Sequence, residues 1–168
     1  MKNFIVLAAS ALAFGCLTSG SSFAASATAT ATITTAIAIG AGSDLMFGLI
    51  VPAASLTTVT IDPTVSGYSS RTGSAAFLIG AGGAGPSSFV VTGSDALTYT
   101  ITLPANGIVT LEGPGNGMPV YGFTSSPSGI GALTSGAQTL TVGATVDVGA
   151  GQSTGAYSGT YAVTVAYN

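Results

Sequence analysis

Residues 28–40 read T-A-T-A-T-I-T-T-A-I-A-I-G, and their alternation decides what kind of chain this is. Ala29, Ala31, Ile33, Thr35, Ile37 and Ile39 fall on the odd positions; Thr28, Thr30, Thr32, Thr34, Ala36 and Ala38 fall on the even ones. Successive side chains of a strand point to opposite faces, so this is the pattern of one long strand with an apolar stripe. Such a strand has two hosts open to it: a sheet of its own domain, or the exposed edge of a neighbouring molecule.

Upstream, residues 1–24 have the form of a secretory signal peptide. Lys2 supplies the positive start, residues 4–17 the apolar run, and Ser22 and Ala24 the small residues before a cut after Ala24. Ala25 and Ala27 set up a second cut after Ala27. The apolar run is shorter than the ~20 residues a membrane span needs. Lipid attachment at Cys16 fits poorly, because Phe14 stands where that signal needs a small residue. The expectation is export through the inner membrane, with residues 25–40 as an N-terminal extension and 41–168 as one domain.

Downstream the same period recurs. Residues 55–61 (S-L-T-T-V-T-I) and 97–103 (L-T-Y-T-I-T-L) alternate, as do 136–142 and 144–148 around Gly143, which marks a bulge or bend in one long strand. Residues 45–51 and 118–123 read as further strands, 41–44 as a turn and 125–135 as a loop. Asn106-Gly107 suits a tight hairpin joining 97–103 to 108–111. In the last stretch, Tyr157, Gly159, Tyr161, Val163, Val165 and Tyr167 share one face and Ser158, Thr160, Ala162, Thr164 and Ala166 the other. That stripe reads as the core face of a strand rather than a sugar-stacking platform. About nine to eleven short strands at regular spacing, with no helical period, predict an all-β antiparallel sandwich or barrel.

Composition narrows function by exclusion. Only 4% of residues are charged, against about 25% in an ordinary soluble protein, and such a surface lacks the usual protection against association. Past residue 24 there is no Cys, His or Lys, and Arg71 is the one cation against Asp44, Asp62, Asp95, Glu112 and Asp147, a net charge of 1 − 5 = −4. A serine nucleophile has no His or Lys to serve as its base. Thiol chemistry and His- or Cys-bound zinc lack their ligands, and the dispersed acids read as solvated loop carboxylates. Residues 80–85 spell G-x-G-x-x-G but lead into Pro86 and a strand, not the helix a dinucleotide site requires. One arginine makes no nucleic-acid surface. The expectation is a protein without catalytic residues, metal or cofactor.

The C-terminal stretch, residues 155–168, resembles the last strand of chaperone–usher pilins, which carry a glycine fourteenth from the end and a penultimate tyrosine; Gly155 and Tyr167 hold those places. Leu45-Met46-Phe47-Gly48 resembles the L-x-F-G near the start of the same class. With residues 97–104 and 142–149, the chain is similar over residues 28–168 to the bacterial secreted family labelled domain of unknown function 4402. The resemblance implies an immunoglobulin-like, pilin-like β-sandwich built into a surface fimbria, with a periplasmic chaperone and an outer-membrane usher as partners. It also implies that residues 28–40 fill a groove in a neighbouring subunit, with Ala29, Ala31, Ile33, Ile37 and Ile39 as the inserted side chains. The absence of a disulfide departs from many pilins. The alternatives are a monomeric secreted adhesin or matrix domain, with 28–40 paired in cis and a ligand near loops 80–88 or 125–135, and a small outer-membrane barrel. Short strands and scattered aromatics weigh against the barrel.

Overall fold

The computed structural model describes residues 25–77 and 83–168. The signal-peptide reading, Cys16 and residues 80–82 of the glycine-rich loop lie outside them. Residues 25–32 are exposed and carry no strand, and the compact body begins at Ile33.

That body is an all-β antiparallel sandwich. Its strands are β1 (Ala38–Ser43), β2 (Ile50–Val51), β3 (Thr57–Ile61), β4 (Arg71–Gly73), β5 (Ala76–Phe77), β6 (Ser87–Thr92), β7 (Thr98–Thr102), β8 (Val109–Leu111), β9 (Met118–Ser126), β10 (Ile130–Ala132), β11 (Ala137–Val148) and β12 (Thr164–Tyr167). A single 3-10 turn, Gly67–Ser70, is the one helical element among the described residues. The spine is β11. Along one edge it pairs β6 over residues 137–142 and β3 over 145–148, while β9 runs along the other edge. β1 extends the sheet beyond β6, β4 beyond β3 and β8 beyond β9. A second sheet has the order β10-β7-β12, and β2 pairs β5 as a separate short ribbon.

Alternation along β11 sends Leu140, Val142, Ala144, Val146 and Val148 inward and leaves Thr139, Thr141, Thr145 and Asp147 at the outer face. The bulge expected at Gly143 is present, with its extra residue on the partner strand. Between the pairs Gly143↔Thr124 and Thr145↔Tyr121, β9 holds Gly122 and Phe123 against Ala144 alone. Gly122 takes φ 61° there, a conformation that glycine adopts without the Cβ clash of other residues. Gly143 serves a close approach instead: a Cβ on it would lie 2.1 Å from the Ile61 carbonyl oxygen.

Several local expectations change. The alternating 28–40 segment becomes strand only from Ala38, and that strand runs on through Ser43 where a turn was expected, with an irregularity between Ala41 and Ser43. Residues 45–51 form strand only at 50–51, and 125–135 holds the end of β9 and all of β10. The Asn106-Gly107 turn forms, with φ 81° at Gly107, but its flanks do not make a hairpin: β7 pairs β10 and β12, whereas β8 pairs β9. The physical reason is burial. Tyr99 and Ile101 enter one core cluster and Val109 the other, so the turn carries the chain from one layer to the next.

The core accordingly has two parts. One holds Val91, Tyr99, Ile101, Leu133, Leu140 and Val142 between the two sheets, with Ile37, Ile39, Val163, Val165 and Tyr167 packed at its margin. The other gathers Phe47, Val59, Ile61, Met118, Val146, Val148 and their neighbours on the β3–β11–β9 side. Phe123 and Tyr161 pack against both.

Candidate functional site: an apolar groove and an N-terminal arm

Over the second core cluster the covering layer is unfinished. A groove of about 1120 Å³ opens between two chain segments, residues 44–52 and residues 152–161. Phe89, Leu111, Met118, Val146 and Val148 lie beneath it, and Asp44 is the one charged residue among those lining it. The volume exceeds the ~300–1,000 Å³ usual for small-molecule pockets.

The two walls run in opposite directions and are joined to each other at one end. The Gly151 amide donates to the Ala53 carbonyl at 2.7 Å, where the first wall ends and the second begins. At the other end the Tyr161 hydroxyl hydrogen-bonds Ser87, whose own hydroxyl donates to the Val142 carbonyl at 3.2 Å. The Tyr161 ring packs edge-on to Phe89 at 6.4 Å and tilted against Phe123 at 5.1 Å. Burial pushes the Tyr161 phenol above its ordinary pKa, the Ser87 bond opposes that rise, and the nearby negative Asp44 adds to it. A strand laid in this groove runs parallel to one wall and antiparallel to the other.

The first wall includes β2, which pairs β5 at Ile50–Val51. Met46 exchanges both backbone bonds with Gly85, at 3.0 and 2.9 Å. Farther along, Arg71 reaches in from β4, only 8% exposed, and its Nη1 donates to the carbonyls of Phe47 at 3.1 Å and Leu49 at 3.5 Å. The Tyr68 ring lies 5.7 Å from its guanidinium, within cation–π range. The one cation of the chain past residue 24 thus holds a groove wall. On the opposite wall Ser158 exchanges both backbone bonds with Glu112, at 2.9 and 2.8 Å, and the Tyr157 hydroxyl donates to the Ser153 carbonyl at 3.0 Å.

The C-terminal residues singled out from sequence divide between the two clusters. Tyr157, Tyr161, Val163, Val165 and Tyr167 are half-buried, and residues 158, 160, 162, 164 and 166 are exposed. The half-buried face is thus interrupted only at Gly159, which is exposed, yet the ladder holds only at Thr164–Tyr167. Among the described residues no ladder forms at 159–163, so a strand-like segment presents an open edge beside the groove. Gly155 packs against Pro114, where a Cβ would lie 2.5 Å from the ring.

The N-terminal candidates also divide. Ile37 and Ile39 are half-buried against the first cluster of their own chain. Ala29 and Ala31 are exposed, and Ile33 is 97% exposed. Ser87, Arg71, Phe47 and Met118 were not singled out from sequence as groove residues. Arg71 alone carried a signal: a lone cation in an almost uncharged chain is a candidate for a specific internal partner.

Elsewhere the acids stand apart. Asp147 accepts a bond from the Tyr121 hydroxyl at 2.9 Å, which holds that phenol protonated and raises its pKa. Asp62 accepts from the Thr64 hydroxyl and amide at 2.7 and 2.8 Å, which lowers its pKa. Among the described residues no group of three or more His, Cys, Asp or Glu is placed to hold a metal ion, and no helix is long and apolar enough to cross a membrane.

Residues 37–167 match the model of the family DUF4402, described as a domain of unknown function. Neither a curated protein nor a solved structure matches the chain.

Proposed function

The chain belongs to the DUF4402 family, and we propose that it is a non-enzymatic structural subunit of a bacterial surface fimbria, assembled by strand complementation between copies. The observation that carries this reading is the long, nearly uncharged groove between two antiparallel walls with an open edge at 159–163. Its occupant in this reading is the arm of a second copy, residues 25–33, which is exposed, uncharged and from Thr28 alternates threonine with alanine or isoleucine. Main-chain hydrogen bonds to the open edge supply affinity, and Ala29, Ala31 and Ile33 entering the groove set the register. Residues 37 and 39 are outside the donated segment, because each subunit uses them for its own core. Export, exposure at the cell surface, and delivery by a periplasmic chaperone and an outer-membrane usher belong to the same proposal.

A second reading has one observation in its favour. Ala38–Ser43 already pairs with β6 of the same chain, as in a monomeric secreted adhesin or matrix domain with its first strand in cis. The two part on an unboiled SDS gel of protein recovered from the native cell surface. Strand exchange yields a series of multimers that collapses on boiling. Ile33→Asp abolishes that series, because a carboxylate carried into an apolar groove lacks a cation to pair with. A monomer in both wild-type lanes favours the second reading.

A further inference from the structure

The N-terminal arm has a fixed root. Residues 33–37 lie outside any strand, yet Thr35 is held on both sides of its backbone. Its amide donates to Ser94 Oγ at 3.0 Å, and its carbonyl accepts from the Tyr167 hydroxyl at 2.8 Å. The same phenol oxygen accepts from the Ser94 amide at 2.7 Å, which closes a ring of bonds through Thr35, Tyr167 and Ser94. The Thr34 and Ser94 hydroxyls add one more. The neighbouring backbone is shaped for this contact: a Cβ at Gly93 would stand 2.1 Å from the Tyr167 oxygen, so any other residue there displaces the phenol. The tyrosine itself is aimed by β12, in which Tyr167 pairs with Tyr99 while its ring packs on the first core cluster.

We propose that Tyr167, acting with Ser94, is the clamp that sets where the arm leaves the domain. Downstream of Thr34 the chain belongs to its own subunit; upstream of it the chain is available to a second copy. The proposal rests on the reading of the arm as a donated strand and assigns that arm its length. Without the clamp, the next fixed point is Ile37 on the core, and the free segment lengthens by about three residues, roughly 10 Å of extended chain. A longer tether lowers the effective concentration of the arm at a neighbour's groove. Tyr167 is thus a positioning residue for assembly, at the opposite end of the sequence from the segment it positions.

The test is amide hydrogen exchange, resolved by residue, on the purified mature protein and on Tyr167→Phe, which keeps the ring in the core and removes only the hydroxyl. Exchange at Thr35 and Ser94 is expected to quicken about fivefold, the equivalent of a net hydrogen bond of about 1 kcal/mol, while the β7–β12 amides keep their protection. Ser94→Ala, which leaves Tyr167 intact, is expected to free Thr35 to a similar degree. Unchanged exchange at Thr35 and Ser94 overturns the clamp, and so does an equal rise throughout β7 and β12, which makes the hydroxyl a general support of the sheet. The multimer gel separates the two levels. Faster exchange with no wild-type multimers keeps the clamp and removes the docking reading; multimers with unchanged exchange do the reverse.

Discussion

The two halves of the core are built from the same residue types and covered differently. Over the first, β10, β7 and β12 form a paired sheet; its own Tyr99 and the Leu140 and Val142 of β11 beneath it are 0% exposed. Even the polar end of Tyr99 is provided for, since its hydroxyl donates to Gln138 Oε1 at 2.7 Å. Over the second, the cover consists of two mostly irregular segments, tied to the rest by the Met46–Gly85 and Glu112–Ser158 bridges, the two-residue β2–β5 ladder, Arg71 and the Tyr161 hydroxyl. A core needs burial, and any layer that excludes water supplies it. A sheet also needs every strand edge paired or protected. The first half has burial and a continuous ladder through β7, and the second has burial with no ladder at 159–163. The difference places the open edge, the groove and the lone cation at one end of the molecule.

The largest expected effect tests that contrast directly. Leu140→Ala in the closed half should cost about 2–5 kcal/mol, since the surrounding layers cannot collapse into the space. Met118→Ala beneath the groove should fall at or below the bottom of that range, because the groove wall can settle or water can enter. Urea denaturation of both variants gives the comparison. Equal losses mean that the groove is closed in solution and that the two halves do not differ.

A smaller effect on stability accompanies a larger one on docking. Leu49 lines the groove from an exposed position, 43% accessible, so Leu49→Asp should shift unfolding by no more than about 1 kcal/mol. The same substitution adds a second carboxylate to a groove lining in which Asp44 is the one charged residue. A synthetic peptide of residues 25–33 should bind the wild type and raise its midpoint of unfolding by mass action, and bind Leu49→Asp at least tenfold more weakly. Equal binding to both proteins takes the peptide out of the groove.

How much of this was legible beforehand follows from what an alternating pattern encodes. It names the face of each side chain and says nothing of which strand lies alongside. The inward set of β11, the face from Tyr157 to Tyr167 and the break at Gly143 were therefore readable. The partnerships were not. Residues 28–37 alternate as well as 38–43 do, yet only the latter lie beside β6. Asn106-Gly107 turns as its chemistry requires, but its flanking strands are claimed by different core clusters. The groove was the least legible feature, because its walls, 44–52 and 152–161, lie far apart in the sequence and no period or motif links them. Arg71 belongs to no run or motif, so its role appears only once the Phe47 and Leu49 carbonyls are placed beside it.

The tyrosines offer the finest probe of the same contrast. Tyr99 in the closed half and Tyr161 at the groove's end both have phenol pKa values raised by burial, while Tyr121 on the outer face is raised chiefly by its bond to Asp147. For a folded pKa above the unfolded value, the stabilisation is complete below the unfolded value, about 10, and is lost as pH rises through the folded one. Stability should therefore hold through neutral pH and fall in alkali, with these three tyrosines ionising late in a 295 nm titration. Tyr99→Phe and Tyr161→Phe assign the late steps. Adding the 25–33 peptide should then move Tyr161 further upward, since an occupied groove removes more water from it, and leave Tyr99 where it was. A shift in both, or in neither, means that the arm does not dock over the second half of the core.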